Sequence, residues 1–283
     1  MAKKKLIITC ALSGAGTPKS KCADLPTQPD EIVADAVRVV KAGAAIVHVH
    51  ARDKQDRGTV SSVVYDEIYE KLRKAMKAEG LNPIINLTTS GGIGTDEERV
   101  TNIRNHKPEM CSFDSGSFNW ADYFVYDNPP SFLRLCAKVC LEHDIKPEVE
   151  VFDSGHIVSM ETYIREGLIK LPVHYQFVLG VGGAMKGTVK NMQFLHSMLP
   201  EGSTWSATGI GLYHMPVMLG ALALGADGIR VGLEDNIYIT EGVKTTNVAL
   251  VERAVKLGEI ADREIATPDE AREILGITRT TSF

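Results

Sequence analysis

The sequence predicts a (β/α)8 TIM barrel: one domain over residues 1–283, with a short helical extension at its C-terminal end. Three observations carry that expectation. Eight short β-rich runs alternate with helical runs along nearly the whole chain. No shift of composition and no flexible linker divides it. The glycine-rich piece after the first run, "SGAGTP", lacks the GxGxxG spacing that an open dinucleotide-binding sheet would place there, because Lys19 takes the last position.

The elements follow in order. "MAKKKLIITCAL" has a basic start and a short apolar run, which imitates a signal peptide. The run contains Thr9 and leads into "SGAGTPK" with no cleavage region, so "LIITCAL" (6–12) reads as the first strand. Thr27 and "QPDE" mark a helix start with acids in the first turn. "AIVHVHA" (45–51) and "PIINLTT" (83–89) are the next strands. Thr95 and Glu98 have capping-box spacing. "MCSFD" (110–114) precedes "NPPSFLRLCAKVCLEH", a helix entered through proline. The strands "PEVEVFD" (147–153), "VHYQFVLG" (173–180), "STWSATG" (203–209) and "GIRVGLE" (228–234) complete the set. A long helix over 243–262 and the small helix "TPDEAREIL" (267–275) close the chain.

Apolar residues make up 44% and charged residues 24%, which is ordinary for a globular domain. A formal net charge of −5 gives no electrostatic case for nucleic acid or an anionic membrane surface. No run reaches transmembrane length. The five cysteines, Cys10, Cys22, Cys111, Cys136 and Cys140, form no CxxC pair, and Cys136 and Cys140 share a helix face as small core residues. Reduced thiols of a cytoplasmic protein are expected.

A barrel places its chemistry at the C-terminal ends of its strands. In "IVHVHARD", His48 and His50 point to one face, their Cα atoms about 7 Å apart. They are either core histidines bonded to main-chain carbonyls or two ligands of one ion. In "GIRVGLEDN", Arg230 and Glu234 share the parity of an extended strand, so they form an internal ion pair, or Glu234 is the third ligand. The second reading is preferred, because charge in a core strand needs a partner or an ion. Two histidines and a carboxylate suit catalytic Zn²⁺, and non-haem Fe²⁺ uses the same donors. "TTSGG" (88–92) ends the third strand with hydroxyls and glycine amides that suit a carboxylate, or a simple turn. "LGVGGAMKG" (179–187) is a weak phosphate-approach motif. Glu148 and Glu150 share a face, and Glu150 is either functional or a buried partner for a cation. Trp120 and Trp205 fit packing.

Taken together, "HVHARD", "TTSGG", "KPEMCSFDSGSFN", "PEVEVFDSG", "QFVLGVGGAMKG", "TGIG" and "IRVGLEDNIY" resemble the β-keto acid cleavage enzymes, in family order over about Leu6 to Leu275. The resemblance implies a (β/α)8 fold, one Zn²⁺ and a homo-oligomer, a tetramer. It implies conversion of a β-keto acid and acetyl-CoA to acetoacetate and a new acyl-CoA. It implies that His48, His50 and Glu234 hold zinc, and that Arg230 and Asp235 do acid–base and polarising work. Thr89 or Ser90, with Gly91 and Gly92, corresponds to the substrate-carboxylate loop. Ser112 keeps a hydroxyl where threonine can stand, and Asp114 ends the same strand. One position departs: members that cleave an amine-bearing substrate carry a glutamate in the first loop, where this chain has Gly16. That implies a neutral or apolar β-keto acid, unless Asp114 or Glu150 replaces the missing charge. Two other classes remain open: a zinc-dependent aldolase or lyase that needs no CoA, and a non-catalytic metal- or metabolite-binding barrel.

Overall fold

In the computed structural model, which describes residues 4–90 and 93–278, the eight expected strands close a parallel barrel. They are β1 (Ile7–Ala11), β2 (Ile46–Val49), β3 (Ile84–Leu87), β4 (Met110–Asp114), β5 (Lys146–Val151), β6 (His174–Leu179), β7 (Thr204–Gly209) and β8 (Gly228–Val231). Neighbours run in chain order, and β8 returns to pair with β1 through Ile7–Gly228 and Thr9–Arg230. Helices α1 (Pro29–Lys41), α2 (Ser62–Ala78), α3 (Asp96–His106), α4 (Pro130–His143), α5 (Ser154–Arg165), α6 (Val189–Ser197), α7 (His214–Ala223) and α8 (Asn247–Ile260) follow the strands in turn.

Alternation along the strands sorts the residues. Ile8 and Cys10 of β1, Val47 and Val49 of β2, Cys111 and Phe113 of β4, and Tyr175, Phe177 and Leu179 of β6 join one apolar cluster with the helices. Residues of the opposite parity are buried as well. Asn86, Glu148, His174, Gln176 and Ser206 are each 2% exposed or less, so the barrel interior is polar at mid-height. Asn86 Nδ2 donates to Glu148 Oε1 (2.7 Å), and the Ser206 hydroxyl contacts His174 Nε2 (3.1 Å). Below them Ile7, Ile46, Ile84 and Met110 make an apolar floor. It is closed by Ala271 and Leu275 of a ninth helix, α9 (Pro268–Leu275). Arg272 of α9 reaches buried Glu109, just before β4, with Nε–Oε1 2.7 Å and Nη2–Oε2 2.9 Å.

Caps fall where the residues direct them. Thr95 and Glu98, and Thr267 and Glu270, form reciprocal capping boxes, while at α1 the cap is Gln28 with Glu31, one residue after Thr27. Most boundaries differ from the sequence reading by one or two residues, and two differ by more. The long helix starts at Asn247, not 243, because the Thr246 hydroxyl accepts from Ala249 N and Val243–Lys244 pair with Tyr238–Thr240. The last strand stops at Val231 rather than 234. Gly232 adopts φ +142°, and a Cβ there would lie 1.9 Å from the Ala11 carbonyl oxygen, so only glycine fits this exit. Among the described residues no helix is long and apolar enough to cross a membrane.

Candidate active site

His48 lies in β2, and His50 sits one residue past its end. Their rings meet edge-on with centroids 5.0 Å apart. Glu234 comes from the turn after β8, and its Oε1 lies 3.7 Å from His48 Nε2 and 3.4 Å from His50 Nε2. Donors about 2.1 Å from a tetrahedral ion are about 3.4 Å from one another, so this spacing suits a shared cation. Glu234 Oε2 is buried with no hydrogen-bond partner. Burial opposes its ionisation, but His50, Arg230 and His48 hold the carboxyl well below the usual range. Burial drives His48 down to about 3, leaving the neutral ring that ligates metals. Gly14 makes room for this arrangement, since a Cβ there would lie 2.6 Å from Glu234 Cγ.

The turn after Gly232 breaks strand parity, and this changes the site. An extended strand would aim Asp235 away from Arg230. Instead Asp235 N and Asn236 N both bond Gly232 O, and Glu234 and Asp235 both reach back to the guanidinium. Arg230 donates to Asp235 through Nε (2.9 Å) and Nη2 (3.0 Å), to Glu234 Oε1 through Nη2 (2.6 Å) and to Glu150 Oε1 through Nη1 (2.9 Å). These bonds commit four of its five N–H groups. Burial opposes the charge on Arg230, yet Asp235, Glu234 and Glu150 push its pKa well above the usual value. Burial raises the Asp235 carboxyl against the pull of Arg230, and Thr208 Oγ1 donates to its Oδ2 (3.0 Å).

These groups open into a cavity of about 740 Å³ at the C-terminal mouth. Of the residues expected near a substrate, Gly16, Ser90, Ser112 and Asp114 line it. Thr89 does not. Its hydroxyl donates to Ser112 O (2.8 Å), so it ties the loop to β4, and Thr88 faces the cavity in its place. Gly91 and Gly92 lie outside the described residues. Asp114 Oδ2 accepts from Tyr126 (2.8 Å), whose hydroxyl also meets Ser90 Oγ (2.8 Å). Burial pushes the Asp114 carboxyl up, and Glu150 further still. No atom lies within 4 Å of the Cβ position of Gly16, so the wall is open there. In the glycine-rich run over 179–187, Gly182 O accepts from Ala121 N (2.8 Å), which ties the run to the wall of the cavity.

Sequence reasoning missed the supports. Arg52 of "HVHARD" donates to the main-chain oxygens of Ser13 (2.7 Å), Gly14 (2.9 Å) and Thr17 (2.7 Å), which fixes the first loop. Its signal was its place directly after the two histidines. A hairpin, Phe118–Trp120 with Phe124–Tyr126, brings Trp120, Phe124 and Tyr126 over the cavity beside Phe152. Its aromatic density was the available sign.

A parallel barrel with a His–His–Glu cluster and an arginine–carboxylate network at its C-terminal mouth has the layout of an enzyme-type site. The model of the β-keto acid cleavage enzymes matches residues 5–277, and the chain belongs to that family. It is 38% identical to a 3-keto-5-aminohexanoate cleavage enzyme of Fusobacterium nucleatum, over 98% of this chain and 99% of that one. It is 33% identical to the 3-dehydrocarnitine:acetyl-CoA trimethylamine transferase of Rhizobium meliloti, over 98% of each chain. It is 31% identical to the 3-oxoadipate:acetyl-CoA acetyltransferase of Cupriavidus necator, over 96% of this chain and 94% of that one. Apo ObcA shares the fold with TM-score 0.80 at 22% identity, over 90% of this chain and 66% of that chain.

Proposed function

We propose that this protein transfers CoA between acyl groups: a β-keto acid and acetyl-CoA give acetoacetate and the acyl-CoA of the former keto carbon. His48, His50 and Glu234 would hold one zinc ion. The observation that carries the reading is the convergence of these three donors beside Arg230 and Asp235, together with the acetyl-CoA-dependent activities named for the relatives. The buried, unpartnered Glu234 Oε2 and the neutral His48 ring fit a cation. When bound, the ion supplies Lewis acidity that polarises a keto group and acidifies the carbon beside it.

The chain's own groups do the rest. Asp235 accepts a proton from the carbon between the keto and carboxylate groups, its raised pKa suiting a base that must later return the proton. That carbon bonds to the acetyl carbonyl and the CoA thiolate leaves. The thiolate then adds to the former keto carbon, the old carbon–carbon bond breaks, and acetoacetate leaves after Asp235 returns its proton. Arg230 offers its remaining N–H to the oxyanions of both additions. Ser90, Ser112 and Thr88 face the substrate end of the cavity.

The substrate side chain is neutral or apolar in this reading. Gly16 supplies no charge, and Trp120, Phe124, Phe152, Val178 and Val181 line the cavity. Glu150 is committed to Arg230, and Asp114 to Tyr126. The test is acetoacetate release from a panel of β-keto acids with and without acetyl-CoA. Turnover that needs no acetyl-CoA would assign a lyase instead.

A further inference from the structure

A second cavity, of about 410 Å³, adjoins the first: Gly211, Asn236 and Tyr238 line both. Its contents differ. Leu212, Met215 and Ile239 give it apolar walls, and it holds one guanidinium, Arg253 of α8. Arg253 donates to Ile239 O, and its Nη2 lies 2.9 Å from His214 Nδ1. Both partners are neutral, since burial and then Arg253 itself hold His214 down to about 3. Among the described residues no ion pair joins Arg253 to a carboxylate, although exposed Glu241 lines the same groove. Two polar atoms are left over. Arg253 Nε and His214 Nε2 are both buried without a hydrogen-bond partner, and His214 is 2% exposed. A half-buried cation with no counter-charge and a second orphaned nitrogen call for an anion.

We infer that this groove anchors the phosphorylated nucleotide end of the CoA thioester, with Arg253 and His214 at a phosphate and the pantetheine arm running past Tyr238 and Asn236 to the catalytic cavity. The inference rests on the proposed acyl exchange, which itself demands such an anchor. The thiolate released in the first addition must remain to attack in the second. Binding the distant end of the molecule holds the sulfur in place without contacts that would stabilise the thiolate ground state. The apolar walls suit the arm, and exposed Leu212, 86% accessible, sits at the outer rim, where a nucleotide base would cover it.

The test compares two thioesters. S-Acetylpantetheine has the reactive end and the arm but no nucleotide. In Arg253→Gln, kcat/KM for acetyl-CoA should fall at least about tenfold relative to that for S-acetylpantetheine, a loss of a charge-assisted contact. Arg253→Lys should restore part of the ratio. Because Arg253 also holds Ile239 O, a second variant is needed. Leu212→Glu alters an exposed side chain, and it should lower the same ratio by replacing the apolar cover of the base with a carboxylate that also repels the nucleotide's phosphates. A ratio equal to wild type in Arg253→Gln and Leu212→Glu would overturn the anchor. Calorimetry with 3′-phospho-ADP separates this from failure of the proposed reaction. Arg253-dependent binding of that fragment upholds the site even if neither thioester yields acetoacetate, and binding indifferent to Arg253 overturns it even if both do.

Discussion

Two buried arginines, one at each end of the barrel, show how similar groups serve different ends. Arg272 at the floor meets Glu109 with two parallel bonds, its other carboxylate partner being the exposed Asp269. The pair is closed and satisfied, and it fastens α9 under an apolar floor. At the mouth, three carboxylates crowd one guanidinium, Arg230, with two histidine rings alongside. Stability alone would favour fewer buried charges there. The floor is balanced by its own residues, whereas the mouth has an excess of acid that a divalent cation and a reacting carbonyl would draw upon.

The comparison can be broken at either end. The largest effect should come from His50→Ala. Metal analysis of the purified wild type should find about one zinc per chain, and the variant should lose both the metal and acetoacetate release. Wild-type activity in a chelated, metal-free preparation would separate the mouth from any cation. Next is Asp235→Asn, which keeps shape and removes the base. Turnover should drop by about 10²- to 10⁴-fold while zinc content and the melting transition persist. The floor should respond in the opposite manner. Arg272→Met leaves Glu109 buried and unpaired, so denaturant unfolding should show a loss of about 3–5 kcal/mol with kcat of the folded fraction retained. Adding Glu109→Leu should recover most of that loss. A fall in kcat without a fall in stability would mean the two ends are not separable.

Acid should act on buried histidines away from both arginines. His174, in the middle layer, is held at about 3 by burial and then by Lys146, and His214 at about 3 by burial and then by Arg253. The unfolded chain takes up these protons near pH 6.5, before the folded one does. The histidine contribution should therefore be complete well above pH 6.5 and decline as pH falls from there toward 3, by up to about 1.4 kcal/mol per pH unit for each histidine. Glu148, pushed up to about 7 by burial, acts in the opposite sense as pH falls through 7. Denaturation midpoints at a series of pH values should show Glu148→Gln losing more stability than wild type between pH 6.5 and 5, and equal slopes would contradict the burial. The smallest effect concerns selectivity. Gly16→Glu fills open space at the mouth. It should shift kcat/KM from 3-ketohexanoate toward 3-keto-5-aminohexanoate by on the order of tenfold. A wild type that already prefers the amine would show that another acid serves that role.

All eight strands were legible because each carries a compact run with β-branched, aromatic or other apolar residues between turn residues, and their order follows from βα connectivity. His48, His50 and Glu234 were legible as a set, since ionisable groups at barrel strand ends need a reason to be there. The geometry between Arg230 and Asp235 was not. It depends on where the strand stops, and parity reasoning carried it past Gly232, although a glycine inside "IRVGLED" is itself a sign of a break. Of the alternatives Thr89 and Ser90, Ser90 lines the cavity and Thr89 does not, for a related reason. A loop's side-chain directions follow its hydrogen bonds, here to Ser112, and not its position in the string. Arg52 was hidden because its partners are main-chain oxygens, which leave no trace in sequence.

The seam where β8 meets β1 has a consequence for how the chain assembles. Ile7 must wait for Gly228, so the barrel closes only after almost every other element exists. Until then β1 and β8 are two open sheet edges, each with unpaired amides and carbonyls, above a floor that α9 has not yet sealed. The loop entropy of that closure is met before its contacts repay it, which makes the late steps slow and the nearly finished barrel its most adhesive form. Folding yield should thus depend on dilution more than on the strength of any one contact, and the seam, far in sequence and immediate in space, is where a crowded cell would most readily join two unfinished copies edge to edge.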